Sequence, residues 1–495
     1  MWHGRKPQKW LCVCLAVIVA VPSFCFLLGG AFAVEPSVPA VHTVDIGIRP
    51  TAYRALISNE AEPRLSVQLA VDGGAYFGGR IKARGGASKL IGLMTPGKRV
   101  PMELKTDQSD LFAESLDNSC VKLINSWTPL RLFGEYLALE MYRFMQIPTP
   151  AYALTFLRFN GVDFGLYLAA EEVNAECLRK IDPDGGGTLF KAHGSDYDAS
   201  CWFGSLRIIE NRGLERTDAL MAALSSGEGY EEYLDVDEAL RYFACLAVWG
   251  AEDTILTETK PNNFFLYDTG ERFILIPWDS SEAFSAYDAG NGIDHFQRDS
   301  DKENDDFSLF ALLMKKEEYK RIYHDYIRQI NDGFFSQELL DARFNALADA
   351  VNPYLERDFT MLCNRPEEIP AALETLRKIH ENLSAQLNGE TEVYNVDPGI
   401  FATSDEDGEG AAEEEEKDAE DELNESILFL ARNDSPRLDP DITEKICAAY
   451  PSWRRTQGQI PFDADDPVEI AVAALVFLSV FFALIILFHK KTNKN

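Results

Sequence analysis

The alternation of apolar and polar positions divides the chain into a strand-rich front and a helix-rich back. Between 43 and 170 the pattern has mostly period two. It predicts strands over 64–71 (RLSVQLAV), 80–84, 100–104, 152–159 (YALTFLRF) and 164–169, joined by glycine-rich turns. One stretch breaks that rhythm, because apolar residues at helical spacing predict a helix over 132–147. From about 236 onward helices dominate, at 236–249, 307–331, 337–352 and 369–387. A single exception stands among them. Asn263-Phe264-Phe265-Leu266-Tyr267, the turn Asp268-Thr269-Gly270 and Phe273-Ile274-Leu275-Ile276-Pro277 read as a β-hairpin.

Two apolar runs carry no charge. Residues 470–488 are nineteen in number and are followed directly by His489-Lys490-Lys491. That length approaches the roughly 20 residues a helix needs to cross a bilayer, so a transmembrane helix is expected with its Lys-rich end in the cytoplasm. At the other end Arg5, Lys6 and Lys9 precede an uncharged stretch over 10–33, which closes on Ala31-Phe32-Ala33. This predicts a cleaved signal peptide, with an uncleaved anchor as the alternative. Pro22 and Gly29-Gly30 favour cleavage, since they break a helix where the peptidase needs extended chain. The expected division is a signal peptide at 1–33, one main domain at 34–400, an acidic linker at 401–467, a membrane helix at 468–489 and a cytoplasmic tail at 490–495. The protein would sit in the cell membrane as a single-pass chain with its ectodomain outside the cytoplasm.

Composition narrows the partners. A hydrophobic share of 46% supports large cores and excludes a disordered chain. Lys+Arg 47 against Asp+Glu 80 gives a net charge of −33, and with no basic patch in view no nucleic-acid partner is expected. Thirteen acids and one lysine over 405–425 make much of that acidity a solvated spacer. Three of the nine cysteines lie in the N-terminal run. The other six, Cys120, Cys177, Cys201, Cys245, Cys363 and Cys447, allow disulfides without revealing a pairing and form no CxxC zinc pattern.

The hairpin is where chemistry concentrates. Asp253 follows the 236–249 helix, Asn263 opens the first strand and Asp279 leaves the second in Pro277-Trp278-Asp279. An acid on a loop, an amide at the start of a hairpin and an acid at its exit reproduce the order of catalytic and metal-binding residues in protein kinases. Ordinary turn residues beside a hairpin are the plainer explanation. Further forward, 78–88 is a strand ending in a glycine turn whose N–H groups could face phosphate, and Lys98 follows it. Glu140 lies on the apolar side of the 132–147 helix and needs a cation if buried. Lys98 would supply a kinase-like pair; Arg143, one turn away, is the local alternative.

These residues together resemble the CotH family of kinase-like proteins first associated with bacterial spore coats. The resemblance spans about 78–285. It rests on Arg84-Gly85-Gly86-Ala87-Ser88 with Lys98-Arg99, on Asn160-Gly161, and on Gly165-Leu166-Tyr167-Leu168 leading to Glu171. Asp253, Asn263-Phe264-Phe265-Leu266-Tyr267, Pro277-Trp278-Asp279 and Ala283-Phe284 complete it. It implies an α+β fold of two lobes like an atypical protein kinase, β-rich then α-rich, making 34–400 a CotH-like kinase domain. It further implies transfer of phosphate from ATP, with Mg²⁺ or Mn²⁺, to Ser or Thr of exported or cell-surface proteins. In that scheme Asp253, Lys98 and Glu140 are catalytic. Arg84, Ser88, Lys98 and Glu171 lie on the nucleotide side, and Asp279, Asn263 and Asp253 serve the metal. The chain departs from the family pattern at Gly134-Glu135, Ser281 and Ser285. A non-catalytic surface protein that keeps the fold to bind partners is the rival from another class.

Overall fold

The computed structural model describes residues 38–57, 64–85, 87–106, 118–183, 186–192, 206–250, 254–256, 261–281, 283–284, 309–362 and 369–389. The expected signal peptide, acidic linker, membrane helix and tail lie outside these. No helix among the described residues is long and apolar enough to cross a membrane.

Seven strands build the front of the chain: β1 (Val41–Gly47), β2 (Leu65–Val71), β3 (Phe77–Ala83), β4 (Met102–Thr106), β5 (Cys120–Ile124), β6 (Tyr152–Phe159) and β7 (Val162–Glu171). Two short helices lie between them, α1 (Pro50–Leu56) and α2 (Ala87–Met94). The strands close in the order β1-β2-β3-β4-β5-β7-β6. Closure depends on β1, which pairs antiparallel with β2 on one side and parallel with β6 on the other. Every strand therefore has two neighbours and no edge is left unpaired. Alternate residues fill the lumen, among them Val44, Ile46, Leu69, Ile81, Leu104, Leu123 and Tyr167, all buried.

The helix predicted at 132–147 is α3 (Pro129–Phe144), entered three residues earlier. Thr128 caps it by accepting from the Arg131 N–H, and Pro129 takes the first helical position, where a missing N–H costs nothing. After β7 come α4 (Ala175–Ile181), β8 (Leu189–Ala192), β9 (Leu206–Glu210), α5 (Glu215–Ser226) and α6 (Val236–Trp249). The predicted hairpin is present as β10 (Phe264–Asp268) and β11 (Phe273–Pro277). It forms a four-stranded sheet in the order β11-β10-β8-β9. Four helices complete the described residues: α7 (Leu309–Met314), α8 (Glu317–Gln329), α9 (Gln337–Leu355) and α10 (Ile369–Leu387), with a π-turn at Ile330–Phe334.

The expected two-lobed kinase-like fold is corrected here. The front strands make a closed barrel instead of an open β lobe, with the helices in the C-terminal part. One hydrophobic core also runs without interruption from the barrel's outer wall (Leu154, Phe156, Leu166, Leu168) through α3 and α6 to α9 and α10. Strand patterning could not reveal this, because period two says which face of a strand is apolar and not which edges meet.

A second tie locks barrel to helices. Arg99, fully buried, donates from Nη1 to Asp358 at 2.9 Å and to Thr360 at 2.7 Å, and from Nε to the Asn125 carbonyl. Asp358, beyond the end of α9, also accepts from the Leu166 N–H at 2.8 Å. A buried ion pair is stable only when such additional bonds satisfy it.

Candidate active site

The hairpin's open end brings two of the expected residues together. Phe264 pairs with Pro277, and the Trp278 N–H donates to the Asn263 carbonyl at 3.1 Å. Asn263 and Asp279 thus flank the same end of the ladder. Both have left-handed backbones, φ 59° and 52°, a conformation that Asn and Asp tolerate better than other side chains. Asp279 is exposed and Asn263 half-buried. An exposed carboxylate beside an amide oxygen is a hard-oxygen donor set suited to Mg²⁺ or Mn²⁺. Asp253 lies outside the described residues.

The segment that follows Asp279 is held from two sides. Arg131 of α3, stacked 4.0 Å from the Trp127 ring centroid, donates from Nη1 to the Ser281 carbonyl at 2.8 Å. The Phe284 N–H donates to the carbonyl of Trp249 at the end of α6. Gly134 lets α3 approach closely, since a Cβ there would stand 2.8 Å from the Ala283 carbonyl oxygen. The departure from the family pattern at Gly134 therefore has a packing reason.

A strip of charge lies on the barrel's outer wall. Glu103 on β4 sits opposite Lys122 on β5 and bonds it at 2.5 Å; Arg64 also reaches Glu103 at 2.5 Å and Lys82 at 3.7 Å. Burial opposes ionisation of Glu103, yet the Lys122 bond and charge, with Arg64 and Lys82, hold its carboxyl down at about 2. Lys122 also bonds Glu172. Glu103, Cys120 and Glu172 lie close enough to share a metal ion. Lys122 already neutralises both carboxylates, and burial pushes the Cys120 thiol up to about 11, so this group is unsuited to one.

Other expected residues have different surroundings. Glu171 is buried at the end of β7, where it accepts from Lys180 at 2.6 Å and the Ala151 N–H at 2.7 Å. Glu140 is half-buried, takes the Tyr152 hydroxyl and lies 3.7 Å from Arg143, the local partner. Lys98 is half-buried in a turn with φ 49°, next to Gly97, which packs on Thr360. Ser88 opens α2, and its carbonyl accepts from Asn125 at 3.1 Å. Gly85 needs its φ of 90° and the close approach of Ser88 and Pro101. Arg84 reaches the hairpin end, its guanidinium 5.8 Å from the Trp278 ring.

The family model described as CotH kinase protein matches residues 99–387, more than half of the chain. The chain belongs to the CotH family. Inner spore coat protein H of Bacillus subtilis (strain 168) is 22% identical over 254 residues, 46% of this chain and 66% of that protein, just under two thirds of its length. The CotH match takes in Asn263, Asp279, Lys122 and Glu172, while Arg84 and Ser88 precede it.

Sequence reasoning missed Lys122, Glu103, Glu172, Lys191 and Arg131. Lys191 had one faint signal, a lone lysine among Leu189, Phe190 and Ala192 in a strand-like run. The others take their meaning from cross-strand or long-range neighbours.

Proposed function

We propose that this CotH protein transfers phosphate from ATP to Ser or Thr residues of exported or cell-surface proteins, acting from a membrane-anchored ectodomain outside the cytoplasm. The observation that carries the reading is the joining of Asn263 and Asp279 at one hairpin end, where Arg84 and Lys191 approach the Trp278 ring. Asn263 and Asp279 would hold Mg²⁺ or Mn²⁺. A bound divalent ion supplies charge neutralisation and alignment of phosphate oxygens. The chain's own residues do the rest by position. Asp279 and Asn263 are fixed by the ladder, Arg131 and Trp249 keep the following segment from drifting, and Arg84 brings positive charge to the phosphate side. Phosphoryl transfer depends chiefly on such placement, so little covalent chemistry is asked of the protein.

The test uses the full chain with labelled ATP and Mg²⁺ or Mn²⁺, comparing wild type with Asp279→Ala. Wild type should label itself or a Ser-rich acceptor, and the variant should lose about 100-fold or more of that rate. Wild type that binds no ATP and labels nothing refutes the reading.

A further inference from the structure

Lys191 lies within the CotH match but in none of the motifs quoted above. It occupies β8 in register with Phe265 of β10. Its ammonium lies 5.3 Å from the ring centroids of both Phe265 and Trp278. Those rings are fixed: they meet edge-on at 5.6 Å, and Trp278 is 7% exposed. Arg84 brings a second cation to the same indole from the end of β3. An aromatic face attracts one cation readily, but two on one platform repel. Burial first, and then Arg84, push the Lys191 ammonium below the ordinary lysine range, and Lys122 adds to this.

Among the described residues no carboxylate is bonded to either cation. Glu172 and Asp279 act on Lys191 in the opposite direction, but Glu172 is bonded to Lys122. Glu103 is bonded to Lys122 and Arg64. Neither the Arg84 nor the Lys191 side chain forms an ion pair or hydrogen bond with another described residue. Two cations gathered on one indole, with no described carboxylate bonded to either, form a receptor for a shared anion.

We propose that Lys191 and Arg84, mounted on Trp278 and Phe265, receive the phosphate chain of a nucleotide and hold it beside Asp279 and Asn263. This rests on the phosphoryl-transfer reading above and adds Lys191 as the residue that positions the phosphates. A polyphosphate fits this place better than an acidic peptide. It presents many oxygens to an Arg fork and a Lys point charge at once, and a divalent ion reconciles its charge with the Asp279 carboxylate. A peptide carboxylate has only two oxygens to divide among the two cations and a divalent ion.

The experiment measures calorimetric binding by the full chain in detergent with Mg²⁺. Its ligands are tripolyphosphate, ATP, adenosine and a peptide of residues 405–425. The proteins are wild type, Lys191→Met, Lys191→Arg and Arg84→Met, each checked by thermal unfolding. Each Met variant should weaken tripolyphosphate and ATP by about tenfold, Lys191→Arg should retain most affinity, and adenosine binding should not change. Unchanged tripolyphosphate affinity in the Met variants overturns the proposal, as does a loss confined to the acidic peptide. Should Lys191→Met unfold early, Arg84→Met and Lys191→Gln decide. Lys191-dependent tripolyphosphate binding without phosphate transfer to protein would sustain the receptor and refute the transferase. Transfer with undisturbed ATP binding in folded Lys191→Met would do the reverse.

Discussion

Arg99 and Arg84 both lie over aromatic rings, 4.4 Å from Tyr167 and 5.8 Å from Trp278, yet their surroundings are finished in opposite ways. Around Arg99 the protein supplies Asp358, Thr360 and the Asn125 carbonyl, and guanidinium and carboxylate are both fully buried. Around Arg84 it supplies another cation, Lys191, and leaves Asp279 exposed. A sealed ionic network joins parts of a fold that are distant in sequence, here the barrel and the chain beyond α9. An open one with surplus like charge is a place where something else binds. Cation–aromatic contact alone does not separate structure from function; the presence of a counter-charge does.

The largest expected effect tests the sealed side. Arg99→Met removes the guanidinium from the buried Asp358 side chain, and should cost about 3–5 kcal/mol in urea unfolding. A loss below about 1 kcal/mol would break the comparison, since the clasp would then be as dispensable as a surface pair.

Glu238 sharpens it from another side, being sealed but unpaired. It is buried in the first turn of α6 beneath β11, accepts the Leu275 N–H at 3.1 Å, and its Oε1 has no partner among the described residues. Burial, with Asp235 and Asp237 adding to it against Leu275 N–H and Arg241, raises its carboxyl from 4.5 to about 8. The folded state therefore keeps a proton that the unfolded state loses. Stability contributed by this group is complete below pH 4.5 and is lost as pH rises through about 8. The slope across that window should reach about 1.4 kcal/mol per pH unit. Glu238→Gln should flatten it in denaturant titrations run at several pH values; an unchanged slope would remove Glu238 as its source.

The smallest effect on stability joins the two regions. Gly134→Ala gains helix propensity of up to about 1 kcal/mol but drives a Cβ against the Ala283 carbonyl, a backbone atom with little room to yield. A net loss of about 1–2 kcal/mol is expected, with a larger proportional fall in Mg²⁺-dependent labelling because the segment after Asp279 is displaced. A stabilised variant with full activity would show that α3 does not fix that segment.

Much of this was legible along the chain. The hairpin at 263–277 was readable because its strands are short apolar runs around Asp268-Thr269-Gly270, and it alone sets Asn263 and Asp279 side by side. The α3 helix was readable from its spacing, though Thr128-Pro129 moved its start. Barrel closure was not, since it depends on β1 meeting β6 across more than a hundred residues. Lys98 drew attention by following a glycine turn, whereas the cations at the hairpin end are Arg84 and Lys191, which come from different sheets. Glu140 was paired in sequence with either Lys98 or Arg143; the described contacts are with Arg143 and Tyr152.

By itself the sequence determined which faces are apolar, where the hairpin turns and that the CotH motifs stand in order, because these depend on neighbours a few positions away. Tertiary structure alone decided that the strands close, that Asp358 answers Arg99, and that Lys191 and Arg84 share an indole with no carboxylate among the described residues bonded to either. Pairing of edges and cancellation of charge are set by distances in space, and residues far apart along a chain carry no local pattern that records them.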